Sequence, residues 1–95
     1  MIDGAAIRNR FLPRFLKLAA ERIERCMALA ERGDWNALTT EFHALAGEAA
    51  LLELRPIADL AREGERIARR TESQNECANI LRELAKQLAA CAPEG

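Results

Sequence analysis

The sequence contains few aromatic side chains and no tyrosine. Aromatic residues make up 4% of its 95 positions, and Ala, Leu, Glu and Arg dominate instead. Strands favour aromatic and β-branched residues, whereas this composition is typical of packed helices. A hydrophobic content of 49% beside 31% charged residues indicates an ordered globular chain. We therefore predict an all-α fold.

Other absences argue against several protein classes. No apolar run approaches the roughly 20 residues that cross a bilayer, and no signal-type stretch opens the chain. The net charge is −1, and we interpret the acids and bases as interspersed along every segment, without a basic face for nucleic acid. The cysteines Cys26, Cys77 and Cys91 form no CxxC pair, which fits neither a disulfide framework nor a zinc cluster. We expect a cytoplasmic protein that binds neither membrane nor nucleic acid.

The length indicates one domain over residues 1–95, because a second core would need about 50 residues of its own. Helical periodicity predicts a first helix between Asp3 and Arg32 and a second that begins at Trp35. Gly33 and Asp34 between them are a C-cap and an N-cap signal. Short connections make consecutive helices antiparallel, so we predict an up-down four-helix bundle.

Two further helices complete the predicted bundle. Pro56 suits the first turn of the third helix, which ends near Arg70. Ser73 and Glu76 form a capping-box signature that opens the fourth, and Pro93 and Gly95 end it.

Apolar residues spaced three and four apart predict the buried face of each helix. The predicted inner positions are Phe11, Phe15, Leu18, Cys26 and Leu29, widened by Leu12, Leu16, Ala19, Ile23 and Ala30, in the first helix; Trp35, Leu38, Phe42, Leu45, Ala49 and Leu52 in the second; Ile57, Leu60, Gly64 and Ile67 in the third; and Cys77, Ile80, Leu84, Leu88 and Cys91 in the fourth.

Pro13 allows two interpretations of the first helix. It can stand in the first turn of a long helix that follows a short extra N-terminal helix, or it can kink one continuous helix near Asn9. We favour the short leading segment.

His43 is the candidate functional residue. It follows Phe42 on the second helix, and one step is about 100° of rotation, so the imidazole is expected off the buried stripe and in solvent. Its neighbours three, four and seven positions away are all small, which would let another protein approach the ring. These neighbours are Thr39, Thr40, Ala46, Gly47 and Ala50.

Gly47 strengthens this interpretation. Glycine inside a helix costs about 0.5–1 kcal/mol relative to alanine, and nothing in the pattern indicates a break there. Each residue also has an ordinary explanation, because a single histidine at a helix edge is most often a simple surface residue. Gly47 could equally admit a neighbouring helix, as we expect of Gly64.

The stretch Phe42-His43-Ala44-Leu45-Ala46-Gly47-Glu48-Ala49-Ala50-Leu51-Leu52 resembles the signature of histidine phosphotransfer (HPt) domains, in which His, Leu and Gly recur at these spacings. The Gly-Asp-Trp run before it and the two helices after it agree with the family. Two positions depart from its pattern: Ala46 stands where a lysine is common, and Glu53 where a glycine is common. The first removes a cation near the phosphoryl group, and the second affects the turn before the third helix.

The resemblance implies that His43 accepts a phosphoryl group from an aspartyl phosphate of a receiver domain and passes it to another receiver. An exposed imidazole is largely neutral at pH 7 and needs no general base, and Nε2 is the expected nucleophile because it lies farther from the backbone. The receiver would supply Mg²⁺, so this chain binds no cofactor or metal.

The partners implied are receiver domains and a hybrid sensor kinase. The docking surface would consist of Thr39, Thr40, Ala46, Gly47 and Ala50, joined by apolar residues such as Phe11 or Leu12. We expect a monomeric phosphocarrier without autokinase activity, since no Gly-rich nucleotide loop is present. The alternatives are a helical adaptor that never carries phosphate and, with less support, a metalloenzyme or hydrolase.

Overall fold

A computed structural model describes residues 4–91, with side chains from residue 6 onward, and consists of four helices. They are α1 (Gly4–Arg32), α2 (Trp35–Leu51), α3 (Arg55–Arg70) and α4 (Gln74–Cys91). No strand occurs within residues 4–91, and the all-α prediction is confirmed. The predicted helix ends at Asp3, Pro93 and Gly95 lie outside the described residues.

The helices form a closed ring in which each packs on two others. α2 contacts α1 and α3, and α4 contacts α3 and α1. Because the connections are short, neighbours run antiparallel, which confirms the up-down four-helix bundle. With 29 residues against 17 in α2, α1 extends past the C-terminal end of α2 by its first turns.

α1 passes through Pro13 without a break. The interpretation with a separate short N-terminal helix is therefore wrong within the described residues. Proline removes one backbone hydrogen bond, to the carbonyl of Asn9. Both residues are exposed, so water can satisfy that carbonyl and the helix continues.

The helix ends follow the predicted capping signals. The Asp34 side chain accepts a hydrogen bond from the Ala37 N–H at 3.3 Å, and Gly33 has the left-handed φ of 70°. At the start of α4, the Glu76 N–H donates to Ser73 Oγ at 3.2 Å. In a capping box the Glu76 carboxylate would accept a hydrogen bond from the Ser73 N–H. Here it accepts one from Thr71 Oγ1 at 3.3 Å instead, so only half of the capping box is formed.

Most of the predicted inner positions are buried, and several others, including Trp35, Leu52 and Leu60, are half-buried against the core. Phe11 and Leu18 were predicted to be buried but are 49% and 45% exposed; they lie in the part of α1 that extends along and past the end of α2. In α4, Leu81 is buried in place of Ile80, which is half-buried. The largest fully buried side chains are Leu38, Phe42, Leu45, Ile57, Leu81 and Leu84, together with Cys26 and Cys77.

Gly64 sets the distance between α2 and α3. A Cβ atom built on it would lie 2.5 Å from Cε1 of Phe42, whose side chain is fully buried. Such a contact is far inside van der Waals separation. The prediction that Gly64 admits a neighbouring helix at close range is confirmed.

Candidate functional site

The His43 side chain is 77% exposed on the outer surface of α2. The residue before it, Phe42, is fully buried, and one helical step of about 100° separates the two directions. The buried phenyl ring anchors the turn, so the imidazole stands on fixed backbone while its ring faces solvent.

Glu65 of α3 contacts the imidazole from one side. Its Oε2 lies 3.1 Å and its Oε1 3.3 Å from His43 Nδ1. An ionised carboxylate only accepts hydrogen bonds, so the contact requires a protonated Nδ1 that donates a hydrogen bond to Glu65. The neutral tautomer with this hydrogen bond presents an unprotonated Nε2, with its lone pair directed away from Glu65.

Arg69 of α3 holds the same carboxylate. Its guanidinium donates to Glu65 Oε2 at 2.9 Å, across one helical turn. The Glu65 side chain is only 15% exposed, whereas Arg69 is 66% exposed. His43, Glu65 and Arg69 thus form a continuous line of contacts that begins at the ring and ends at a cation in solvent.

The side chains next to His43 on the surface of α2 are short, as the small residue types indicate. Thr40, Gly47 and Ala50 are exposed, and Thr39 is half-buried. A Cβ atom on Gly47 would meet nothing within 4 Å, so no neighbouring helix requires this glycine. The side of the ring away from Glu65 is open to a partner surface.

Ala46 is the exception among the five predicted docking residues. It is 4% exposed and belongs to the core, so it cannot be part of a contact surface. Three steps beyond His43 turn the helix by about 300°, which leads back toward the buried face, whereas the four steps to Gly47 turn it by about 400° and lead outward.

Sequence reasoning missed Glu65 and Arg69. An acidic and a basic residue four apart are ordinary on a helix surface, and nothing in their own pattern indicates which helix they face. The signal was the predicted close approach at Gly64. Once Gly64 packs on Phe42, the next residues along the two helices, Glu65 and His43, become neighbours.

The opposite edge of α2 is tied to α1 by Arg22. Its guanidinium contacts Glu41 at 3.0 Å and Glu48 at 3.1 Å, and its side chain is 16% exposed. Two carboxylates nearly two turns apart on α2 therefore share one cation of α1. This fixes the rotation of α2 and, with it, the direction of His43.

The other reactive side chains lie apart from this site. Burial raises the pKa of the Cys26 thiol to about 12 and also raises the pKa of the Cys77 thiol, which leaves both as poor nucleophiles at neutral pH. Within residues 4–91, no group of three or more His, Cys, Asp or Glu side chains is placed to hold a metal ion. His43, by contrast, is an imidazole with its side chain 77% exposed.

Such a site can accept and release a group by nucleophilic displacement. The nucleophile is preorganised because its tautomer is set by Glu65 and its helix by the core. The ring is 77% exposed, and its exposed neighbours on α2, Thr40, Gly47 and Ala50, are small. The arrangement fits transfer between proteins, since the small residues around the ring leave room for a second macromolecule.

The sequence model of the Hpt domain family matches residues 10–92. This covers most of the chain, and the protein therefore belongs to the Hpt domain family. Hpt domains are phosphocarriers that take part in phosphotransfer within phosphorelays, where they work with receiver domains and kinases. Searches of the curated proteins and of the solved structures found no match. Among the described helices, none has the length and apolarity to cross a membrane.

Proposed function

We propose that His43 is the phosphorylated residue of this domain, a phosphoprotein of a cytoplasmic two-component phosphorelay. It accepts a phosphoryl group from the aspartyl phosphate of one receiver domain and passes it to another. The observation that carries the proposal is the exposed ring whose Nδ1 donates to Glu65 at 3.1 Å, because this contact leaves Nε2 free to attack.

The transfer needs no proton to leave the histidine. The Nε2 lone pair forms the N–P bond while the O–P bond of the aspartyl phosphate breaks, and that electron pair returns to the aspartate carboxylate. Nδ1 keeps its proton throughout, and the phosphorylated ring gains positive charge. The Glu65 carboxylate, in contact with Nδ1, stabilises this charge.

Cations supply most of the stabilisation in phosphoryl transfer, where charge spreads over the equatorial oxygens. The proposal assigns Mg²⁺ to the receiver and no cofactor to this chain. Ala46, which stands where the family commonly has lysine, offers no charge and is buried. Arg69, in contact with Glu65, is the cation of this chain that partly offsets the carboxylate beside the phosphoryl group.

Docking of the receiver would use the exposed small residues Thr40, Gly47 and Ala50 and the half-buried Thr39. Transient signalling contacts of this kind often bury less than about 1,200 Å² in total, which a single domain over residues 1–95 can present as a monomer. A hybrid sensor kinase would provide the phosphoryl group upstream, and the chain itself would have no autokinase activity.

The deciding experiment incubates the protein with a panel of receiver domains from the source organism, each loaded with labelled phosphate. We expect acid-labile, alkali-stable label on the wild type and none on His43→Gln. Mass spectrometry of peptides that are prepared at alkaline pH should locate the label on His43.

The matched control is Asn75→Gln, at an exposed position of α4, a helix that does not pack on α2. It should accept label like the wild type. If no receiver of the panel labels the wild type while His43→Gln still binds the same receivers, the protein is an adaptor and the proposal is wrong.

A further inference from the structure

Once Nε2 of His43 is phosphorylated, Nδ1 is the one ring nitrogen that can still carry a proton. Both carboxylate oxygens of Glu65 lie within hydrogen-bonding distance of Nδ1, at 3.1 and 3.3 Å. The phosphoryl group would stand on the other ring nitrogen, away from this contact. The contact can therefore persist in the phosphorylated domain, where it joins a carboxylate to a cationic ring.

The proton on Nδ1 decides how readily the phosphoryl group departs. During donation, the N–P bond breaks and its electron pair stays on Nε2, while an O–P bond forms between the phosphorus and an aspartate carboxylate of the next receiver. A ring that keeps the Nδ1 proton leaves as neutral imidazole, whereas a ring without it would leave as an imidazolate anion. The neutral ring is the better leaving group, so donation should proceed from the protonated form.

Glu65 is placed to keep this proton on the ring. An imidazole without charged neighbours becomes cationic only below about pH 6.5, and the phosphorylated ring needs the same positive charge to hold its Nδ1 proton. The Glu65 side chain is 15% exposed, so water screens its charge incompletely, and hydrogen bonds between ionised partners are stronger than neutral ones. This contact extends the pH range over which the phosphorylated ring stays protonated.

Arg69 limits the same effect. Its guanidinium donates to Glu65 Oε2 at 2.9 Å, the oxygen that also lies closest to Nδ1. The hydrogen bond holds the carboxylate in place, but the positive charge of Arg69 weakens the attraction between Glu65 and a cationic ring. The protonation of the ring is therefore set by two opposing neighbours on α3.

The other charged side chains of α3 near this point are paired elsewhere. Arg62 lies one turn before Glu65 and contacts Asp59 at 3.3 Å. Glu63 contacts Arg66, and two helical steps of about 100° each turn Glu63 away from the side on which Glu65 lies. α4 does not pack on α2, so it brings no charge to the ring.

α1 lies along the other edge of α2. Its arginines bind two carboxylates there, namely Arg22 and Arg25 with Glu41 and Glu48. Residues 4–20 of α1 contain basic but no acidic residues, so the sequence interpretation that acids and bases are interspersed along every segment is wrong for this stretch. Of these, Arg14 lines a groove with Leu51, about 12 Å along α2 from His43 and beyond the screening length of about 8 Å at physiological salt.

We propose that Glu65 keeps the phosphorylated His43 ring protonated, and that this proton makes the phosphoryl group transferable to the next receiver. Glu65 thus acts on the departure of the phosphoryl group, in addition to setting the tautomer before phosphorylation. Arg69 is a positioning residue that moderates the effect. The inference rests on the proposed function, and it adds the pH range over which the carrier passes its phosphoryl group on.

The test loads His43 of the wild type, Glu65→Gln and Arg69→Gln with phosphoramidate, a small phosphodonor that needs no docking. Donation to one receiver is then timed between about pH 5.5 and pH 9, the range around which imidazoles titrate. Ratios of variant to wild-type rates are compared, so that titration of the receiver itself cancels. The ¹⁵N shift of Nδ1 in the phosphorylated proteins reports the proton directly.

Glu65→Gln keeps an acceptor for Nδ1 but removes the negative charge. The pH at which Nδ1 loses its proton should fall by about one unit, the tenfold effect expected of a hydrogen bond to a charged group. Donation above about pH 7 should slow by up to roughly tenfold. Near pH 5.5 it should equal or exceed the wild-type rate, because both rings are protonated there and the wild type must weaken its contact with Glu65 as the charge leaves the ring.

Arg69→Gln should shift the profile in the opposite direction. The amide can still donate to Glu65 but no longer offsets its charge, so the ring should hold its proton to a higher pH than in the wild type. A merely structural role of the two residues would instead slow donation in both variants at every pH.

The matched control is Glu63→Gln, the same chemical change on the side of α3 that faces away from the ring. Its rates should stay within twofold of the wild type at every pH. Hydrolysis without a receiver provides a second reading, because water then replaces the aspartate as acceptor while the same imidazole departs. It should follow the same order of pH profiles.

A ratio of Glu65→Gln to wild-type rates that does not change with pH would overturn the inference. So would shifts of Glu65→Gln and Arg69→Gln in the same direction, or an Nδ1 signal that titrates at the same pH in Glu65→Gln and the wild type. Failure of the proposed function has a different signature: the phosphorylated proteins hydrolyse with the expected pH profiles, but no receiver exchanges label with His43.

Discussion

Oε2 of Glu65 lies 3.1 Å from Nδ1 of His43 and 2.9 Å from a guanidinium nitrogen of Arg69. One carboxylate oxygen therefore accepts from both the imidazole and a cation. The imidazole contact fixes the tautomer that exposes Nε2, and the cation holds the carboxylate in position. Arg69 acts through Glu65 and is a positioning residue on this arrangement.

Glu65→Ala should slow phosphoryl transfer to His43 roughly tenfold, equivalent to about 1.4 kcal/mol, at the lower end of what a hydrogen bond to a charged group contributes. Glu65→Gln should be closer to the wild type, because its amide oxygen can still accept from Nδ1. The ¹⁵N shifts of the imidazole report the tautomer directly. Unchanged shifts in Glu65→Ala would show that Glu65 does not position the ring.

Gly47→Ala should raise the free energy of unfolding by about 0.5–1 kcal/mol, since alanine is the better helix former and its Cβ meets open space. The larger Gly47→Leu should slow transfer from a receiver but leave labelling by phosphoramidate unchanged. Chemical denaturation and the two labelling assays measure these effects. Normal receiver transfer in Gly47→Leu would mean that the partner does not approach over this position.

Gly64→Ala should destabilise the fold by about 1–3 kcal/mol, the usual cost of overpacking a core. The added Cβ would lie 2.5 Å from the buried ring of Phe42, so the ring or one of the two helices must shift. Gly47→Ala is the matched control, because it makes the same chemical change on the surface. Denaturation midpoints that move in the same direction for both variants would contradict the packing described here.

Glu53→Gly should stabilise the protein by up to about 1 kcal/mol. Glu53 has a φ of 59° in the turn between α2 and α3, a left-handed conformation that costs roughly 1–2 kcal/mol for residues with a Cβ. Part of this gain is lost to the greater freedom of glycine in the unfolded chain. Glu72→Gly, at φ 50°, should behave alike, and a lower unfolding free energy in both variants would exclude strain at these turns.

The Cys26 thiol should make the fold sensitive to alkali. Burial raises its pKa from 9.0 to about 12, so the folded state retains the proton more tightly than the unfolded chain. Its contribution to stability is complete below pH 9 and is lost as the pH rises toward 12. Cys26→Ala should flatten this part of the pH dependence of unfolding, and an unchanged slope would assign it to other groups.

The helices and their caps were largely readable from the sequence, because caps and periodicity are local. Asp34, Ser73 and the turn at Gly33 act within a few residues of themselves. The prediction of a separate helix before Pro13 was wrong, since whether a proline ends a helix depends on whether water can reach the freed carbonyl. The exposure of Phe11 and Leu18 depends on where the neighbouring helix stops, which no local pattern records.

The candidate site was readable only in part for a similar reason. The position of His43 relative to Phe42 follows from helical geometry within one element. The contact with Glu65 depends on the register between two helices, and Gly64 is the one residue whose type reveals that register. Ala46 shows the limit of counting neighbours, because residues three and four apart flank the same side chain from opposite sides.

Phe42, the residue before His43, is fully buried in the bundle. If the proposed function is correct, phosphorylation and dephosphorylation of His43 would form and break an N–P bond at the surface without rearranging this packing. The phosphorylated and unphosphorylated forms would then have the same backbone conformation. A partner could distinguish the two forms only by contact with the imidazole ring. The direction of flow along such a relay would be set by the relative free energies of the phosphorylated receivers, with this domain as an intermediate of constant shape.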